Sequence, residues 1–236
     1  MRTPIEAGFI VVLLSFTSFC SCTHTPILPK HTGADSLAIV LENVGFRTAQ
    51  DAYYRNDPDS PFNADSTAHY DGLKWFPIDT RFRGESTLHH YDRPETVVVM
   101  GTRGETRRSL RYGYFEFPLP DDPGAAALVR LNVYKFTPYD SLRYALYRDE
   151  LNVWFTDGTT GKDTYPVGRY VEIGTEHPDP DHLYVIDLNK AYNPYCAYSD
   201  VYSCAIPRDE DHIPLPIRAG EKTYRSENTD HASDSH

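Results

Sequence analysis

From position 36 onward, Leu37, Val40, Leu41 and Val44 recur at intervals of three and four, the spacing of one helix face, and Asp35 or Ser36 is placed to cap the start. Gly45 interrupts the pattern. Residues 47–55 read as a second helical piece that stops in the turn-forming run Asn56-Asp57-Pro58-Asp59-Ser60-Pro61. Beyond this turn the pattern changes to strands. Thr96 to Met100 is a short β-branched run closed by Gly101 and Gly104, as in a buried strand. Between Arg111 and Phe117, Tyr112, Tyr114 and Glu116 alternate with Gly113, Phe115 and Phe117. After the turn Asp121-Asp122-Pro123-Gly124, Val129, Leu131 and Val133 alternate with Arg130, Asn132 and Tyr134, so these two runs are expected to be antiparallel neighbours. Leu151, Val153 and Phe155 alternate in the same way up to Asp157-Gly158, and 169–173 and 183–188 supply two more strands. Short strands punctuated by Gly, Pro and Asp predict a mainly β fold, an antiparallel β-sandwich or barrel-like domain with a short N-terminal helical segment. The chain shows no internal repeat.

The first residues follow another pattern. Arg2 and the amino terminus outweigh Glu6, and an apolar run from Gly8 to Phe19 follows, too short to span a hydrocarbon core of about 30 Å and suited to the centre of a signal peptide. Phe19-Cys20-Ser21-Cys22 comes next, and a small residue directly before a cysteine resembles a bacterial lipobox. Residues 1–22 therefore read as an export signal with Cys22 as the lipidation site, although Phe19 stands where Leu is usual. Residues 23–34 read as a tether, 35–224 as one β-rich domain and 225–236 as a disordered polar tail. The expected location is the cell envelope, with the chain held to a membrane by its N-terminal lipid. A net charge of -11 opposes the phosphate attraction on which non-specific nucleic-acid binding rests, so nucleic acid is not an expected partner.

Chemistry concentrates in the run from Asp187 to Cys204, which leaves a strand for an irregular loop rich in hydrogen-bonding side chains. Cys196 and Cys204 enclose a short loop. In an exported protein they read as a disulfide, for which chain entropy predicts ~2.5 kcal/mol of stabilisation. The alternative is a thiolate nucleophile at Cys196, which needs a base such as His177, His182 or His212. The spacing fits no zinc template, and neither metal nor cofactor is expected. His177-Pro-Asp-Pro-Asp-His182 describes a turn, and Arg103, Arg107, Arg108 and Arg111 a solvated basic hairpin. Trp75, Trp154 and the 18 tyrosines either form a stacking platform for a flat ligand or fill the core.

Ser60-Pro61-Phe62, the run Gly72 to Asp79 with Phe82-Arg83, the run Gly161 to Tyr170 and the segment Asp187 to Cys204 resemble, in order, the domain of unknown function 1684 family. The resemblance runs from about Arg47 to Lys222, closing on Ile217 to Lys222. It implies a bacterial or archaeal β-rich domain, with exported lipoprotein versions common, and no established activity. Carried over position by position, it points to Asp79, Gly168, Arg169, Tyr170, Asn189, Tyr192, Asn193, Pro194, Cys196, Tyr198 and Cys204. Tyr195 and the segment 205–211 depart from the family's pattern.

Arg169 offers a planar fork for a carboxylate or phosphate, Asn189 and Asn193 donate and accept, and Tyr192 and Tyr198 supply a wall. The opposing account is that these groups satisfy one another and hold the loop. The first functional expectation is an envelope binding domain for a small polar or carbohydrate-like ligand at Asp79, Arg169, Tyr170, Asp187, Asn189, Tyr192, Asn193, Cys196 and Tyr198. The alternatives are a hydrolase or transferase using Cys196 or Asp187, and a structural envelope protein without a small ligand.

Overall fold

The structure is a computed structural model and describes residues 26–121 and 125–224. The signal segment, Cys22, the tip 122–124 of the expected turn and the polar tail from 225 lie outside the described residues.

Helix α1, Gly33–Asn56, is continuous, where the pattern predicts two pieces. Its N-cap is Thr32, in a capping box with Asp35, rather than Asp35 or Ser36. An exposed glycine costs a helix only about 1 kcal/mol relative to alanine, less than the tertiary contacts on either side of Gly45 recover. The apolar stripe at Leu37, Leu41 and Val44 faces solvent, and the helix buries Ile39, Asn43 and Tyr54 instead. Full burial of a large apolar side chain contributes about 2 kcal/mol. A helix that buries two of them is held in good part by polar ties, among them Asn43 Nδ2 to Asp187 Oδ2 at 2.8 Å and Arg47 to the Phe76 carbonyl at 2.9 Å.

After the short α2, Pro61–Ala64, the chain is mainly antiparallel β. Strands β1 (Arg83–Ser86) and β7 (Tyr184–Asp187) form a two-stranded ribbon. Strands β2 (His89–Met100), β3 (Thr106–Pro120), β4 (Ala126–Phe136), β5 (Glu150–Asp157) and β6 (Arg169–Thr175) lie in that order in the main sheet. Helix α3, Ser141–Tyr147, connects β4 to β5, and β8, His212–Ile213, pairs parallel with the end of β5. The expected pairing of 111–117 with 129–134 is present, with Tyr114 opposite Asn132. Among the described residues the sheet is open, so the barrel expectation gives way to a layered, sandwich-like arrangement.

Strand alternation places Phe115, Phe117, Leu131, Val133, Val153, Phe155 and Val171 on one buried face. Ile186 and Leu188 from the ribbon side, with Ile213, Leu215, Ile217 and Ala219 from the C-terminal run, close over that face. On the other face Tyr134 stacks on Trp154 at 4.6 Å beside Val97, Val99 and Ala205. A third cluster, Tyr54, Phe62 and Tyr198 with Tyr53, Tyr70, Tyr195 and Tyr224 around it, joins α1 and α2 to the loop after β7.

The turn at Gly220 brings the C-terminal run against that loop. Gly220 has φ +79°, and an added Cβ would lie 2.6 Å from the Ala191 carbonyl and 2.8 Å from that of Leu188. Both obstacles are backbone. Gly220→Ala is therefore expected to lose about 2 kcal/mol or more. Gly45→Ala, with nothing within 4 Å, is expected to gain about 1 kcal/mol. Urea unfolding of the two variants checks the contrast.

Candidate functional site

Alternation along β6 sets the frame. Arg169 and Val171 point into the core, while Tyr170 and Glu172 point to the opposite side. The loop after β7 is pinned to this strand by a backbone bridge, Tyr170 N–H to the Tyr192 carbonyl at 2.9 Å and Tyr192 N–H to the Tyr170 carbonyl at 3.0 Å. Between the loop, β6 and the last turns of α1 lies a cavity of about 570 Å³. Gln50, Tyr53 and Tyr54 line it from the helix, Tyr170 and Glu172 from the strand. Tyr192, Pro194, Tyr195, Tyr202, Ser203 and Cys204 line it from the loop.

The wall is braced from outside. The Tyr53 and Tyr195 hydroxyls share a hydrogen bond of 2.7 Å, and Tyr170 donates to the Ala205 carbonyl at 2.7 Å. Arg107 donates to the Ser203 carbonyl at 2.6 Å, and Arg103 to that of Val201 at 3.1 Å. Arg111 pairs with Glu95 and Glu210, and Arg108 lies over the Tyr139 ring. The basic hairpin is thus engaged within the fold, and two of its arginines hold the cavity's loop.

Most of the side chains singled out in the sequence are struts. Arg169 has no solvent exposure. Its guanidinium bonds Asp157 at 2.8 Å and the carbonyls of Ile217, Ala219 and Glu221, a position from which no ligand contact can be made. Asp187 accepts from Asn43, Arg83 and Asn189. Asn189 exchanges two hydrogen bonds of 2.9 Å with the Asp79 backbone, and the Asp79 carboxylate holds Arg81. Asn193 and Tyr198 converge on Glu221, itself without exposure, at 2.8–2.9 Å. Of the candidate ligand residues, Tyr170 and Tyr192 line the cavity, as do Pro194 and Cys204 from the wider family set. Gly168, at φ +121°, turns the chain into Arg169.

Glu221 and Glu172 escaped the sequence reading, as did Gln50, Tyr53 and Tyr54, for lack of any local signal. An acid next to a polar tail and a Gln on a helix look like solvated residues until the chain is folded. The one usable hint was Ile217 to Lys222, whose glutamate falls inside a run resembling the family's end.

The two cysteines are adjacent and unbonded in this structure. Cys204 Sγ accepts from the Cys196 backbone N–H at 3.3 Å. A hydrogen bond from the Cys204 thiol draws the Cys196 thiol down, against burial and with help from the Tyr165 and Thr102 hydroxyls, while Cys204 is pushed up. No histidine is among these partners. His177 and His182 stack on one another at 4.1 Å, and His212 bonds Thr156, so the base that thiolate catalysis needs is not in contact with Cys196. Among the described residues no group of three His, Cys, Asp or Glu is placed to hold a metal, and no helix is long and apolar enough to cross a membrane.

Burial pushes the Glu221 carboxyl up to about 8 from its ordinary 4.5, against the hydrogen bonds of Asn193 and Tyr198 and the charge of Arg169. Between those values the folded state keeps a proton that the unfolded chain has released. The stability contributed by the protonated form is therefore complete at low pH and is lost as pH rises toward 8, with a limiting slope of about 1.4 kcal/mol per pH unit. Urea unfolding across this range is expected to show a steeper decline for wild type than for Glu221→Gln, whose side chain does not titrate. Parallel profiles would contradict the assignment.

The family model described as "Protein of unknown function (DUF1684)" matches residues 68–222, beginning later than the resemblance from about Arg47. A search of the curated proteins finds no match. Among solved structures, the solution NMR structure of the uncharacterized protein from gene locus rrnAC0354 of Haloarcula marismortui is similar, at 29% identity and a TM-score of 0.55. The similarity covers 81% of this chain and 98% of that one. The family match takes in β6, the whole loop and Glu221, and with well over half of the sequence inside it, this chain belongs to the DUF1684 family of proteins of unknown function.

Proposed function

We propose that this protein is an exported, lipid-anchored binding domain whose small polar ligand occupies the tyrosine-walled cavity between α1, β6 and the 192–204 loop. The observation that carries the reading is the contrast between committed and uncommitted polar groups. Arg169, Asp187, Asn189, Asn193 and Glu221 are all bonded inside the fold. Around the cavity, the side-chain polar groups of Gln50, Glu172, Tyr192 and Tyr202 make no hydrogen bond or ion pair among the described residues. Polar side chains left without internal partners around one concavity are free to take hydrogen bonds from a ligand. The volume, about 570 Å³, suits a small molecule.

A thermal-shift screen of sugars, nucleosides and amines tests the site. At least one class is expected to raise Tm in wild type and to lose most of that shift in Tyr192→Ala. Equal shifts in both proteins would remove the cavity from consideration.

Export and anchoring rest on the leader: the apolar run Gly8 to Phe19 and the lipobox-like Ser21-Cys22. Two acyl chains suffice for stable membrane attachment. In an oxidising compartment the neighbouring Cys196 and Cys204 thiols exchange with an oxidant disulfide, which is reduced as theirs forms, and the bond staples the loop wall. Intact mass of protein isolated from membranes reads both expectations. The mature chain should begin at a diacylated Cys22, lost in Cys22→Ala, and its domain should be lighter by two thiol hydrogens until reduced. A chain with unmodified Cys22 and alkylatable thiols would refute both.

A further inference from the structure

The cavity has a charge character that narrows its ligand. Among its lining residues Glu172 alone carries a formal charge, and it is solvent-exposed. Glu172 lies opposite Asn152 of β5. Glu150, two residues before Asn152, lines an adjoining cavity of about 220 Å³ that shares Tyr170, Glu172 and Tyr192 with the first. Burial and the charge of Glu172 hold the Glu150 carboxyl above its usual range, so the two acids act on the same space. Neither carboxylate has a cationic partner among the described residues. Arg107 of the neighbouring hairpin reaches only the cavity's rim, where it donates to the Ser203 carbonyl, and its charge is met there by Glu105.

Most of the rest of the wall is aromatic: Tyr53, Tyr54, Tyr170, Tyr192, Tyr195 and Tyr202. Burial, and for Tyr192 the charge of Glu172, push the Tyr170 and Tyr192 hydroxyls above their ordinary value, which keeps the rings neutral. A neutral phenol ring presents a negative face to a cation.

We propose that the ligand of this cavity is an organic ammonium ion, its cationic head seated among the tyrosine rings beside Glu172 and its carbon groups against the apolar wall. The assignment rests on the reading of the cavity as a ligand site and adds the chemistry of the occupant. An anion meets two uncompensated carboxylates here. A neutral sugar gains ring contact but nothing from the charges. A hard metal ion requires a closed set of oxygen ligands, which tyrosine rings do not supply. An ammonium carrying methyl or methylene groups uses both features together: ring quadrupole and apolar surface for its body, carboxylate for its charge.

The test is calorimetric titration of the mature chain with choline and with its neutral isostere, in which carbon replaces the ammonium nitrogen. Benzyltrimethylammonium and its own carbon isostere form a second pair. The expected result is roughly tenfold or tighter binding of each cation over its isostere. In Glu172→Gln, an exposed change that should leave Tm unaltered, that preference should fall several-fold while the isostere's affinity holds. Tyr192→Leu should weaken the cations more than the isosteres. Equal affinities, a preference that survives Glu172→Gln, or binding of neutral screen compounds without the cations would each overturn the ammonium assignment and leave the ligand site standing. No binding by any probe or screen compound would overturn both.

Discussion

A guanidinium with no solvent exposure needs acceptors inside the protein, and the four that its terminal nitrogens find organise this fold around Arg169. The residue opens β6, Asp157 closes β5, and the ion pair of 2.8 Å joins the two strand ends. Its two terminal nitrogens also donate to the carbonyls of Ile217, Ala219 and Glu221 and so draw the C-terminal run across the end of the sheet. That placement carries Glu221 into the interior, where Asn193 and Tyr198 close on it, and Tyr198 sits in the aromatic cluster beneath α1. One buried charge is thus connected, in three steps, to the wall of the cavity. Removing one partner of such a pair leaves an uncompensated charge at about 3–5 kcal/mol, a large share of the 5–15 kcal/mol typical of a domain.

The loop from 192 to 204 is irregular in backbone but fixed at both ends. The Tyr170–Tyr192 bridge holds its start, the Gly101–Ala205 bridge its end, and Arg103 and Arg107 bind its carbonyls between. A wall held in this way is fixed by the fold itself, the kind of pre-organisation that lowers the entropic cost of binding in general. The same bracing gives a basic hairpin a place in a chain of net charge -11: Arg103 and Arg107 are taken up by loop carbonyls, Arg111 by nearby acids and Arg108 by the Tyr139 ring, while Glu172 is the one charged residue in the cavity lining.

The strands were legible because alternation is a local property. Phe115 and Phe117, Leu131 and Val133, Val153 and Phe155 each announce a buried face within their own segment, and all lie on the same side of the sheet. Less legible were β1 and β8, short pieces whose pairing lies with distant residues, Arg83 with Asp187 and His212 with Thr156. The helix misled in two ways. Its apolar stripe at Leu37, Leu41 and Val44 faces solvent, and Gly45 does not break it, because the docking face is set by Asn43, Arg47 and Tyr54 meeting partners far along the chain.

By itself the sequence determined a mainly β domain with an N-terminal helix, the family, and the stretch of chain around which the site is built, since each is written in composition, period or a contiguous run of residues. Tertiary structure decided which of the polar residues in that stretch face the cavity and which hold the fold. Arg169, Asn189 and Asn193 have the donors of a recognition surface, and only their depth, with Asp157 and Glu221 brought in from other segments, makes them struts. Tyr170 and Glu172 differ from Arg169 by one step of strand alternation, and which side of β6 became the cavity depended on where α1 and the loop came to rest. Burial is a property of the whole chain's packing, and no local pattern carries it for a polar side chain.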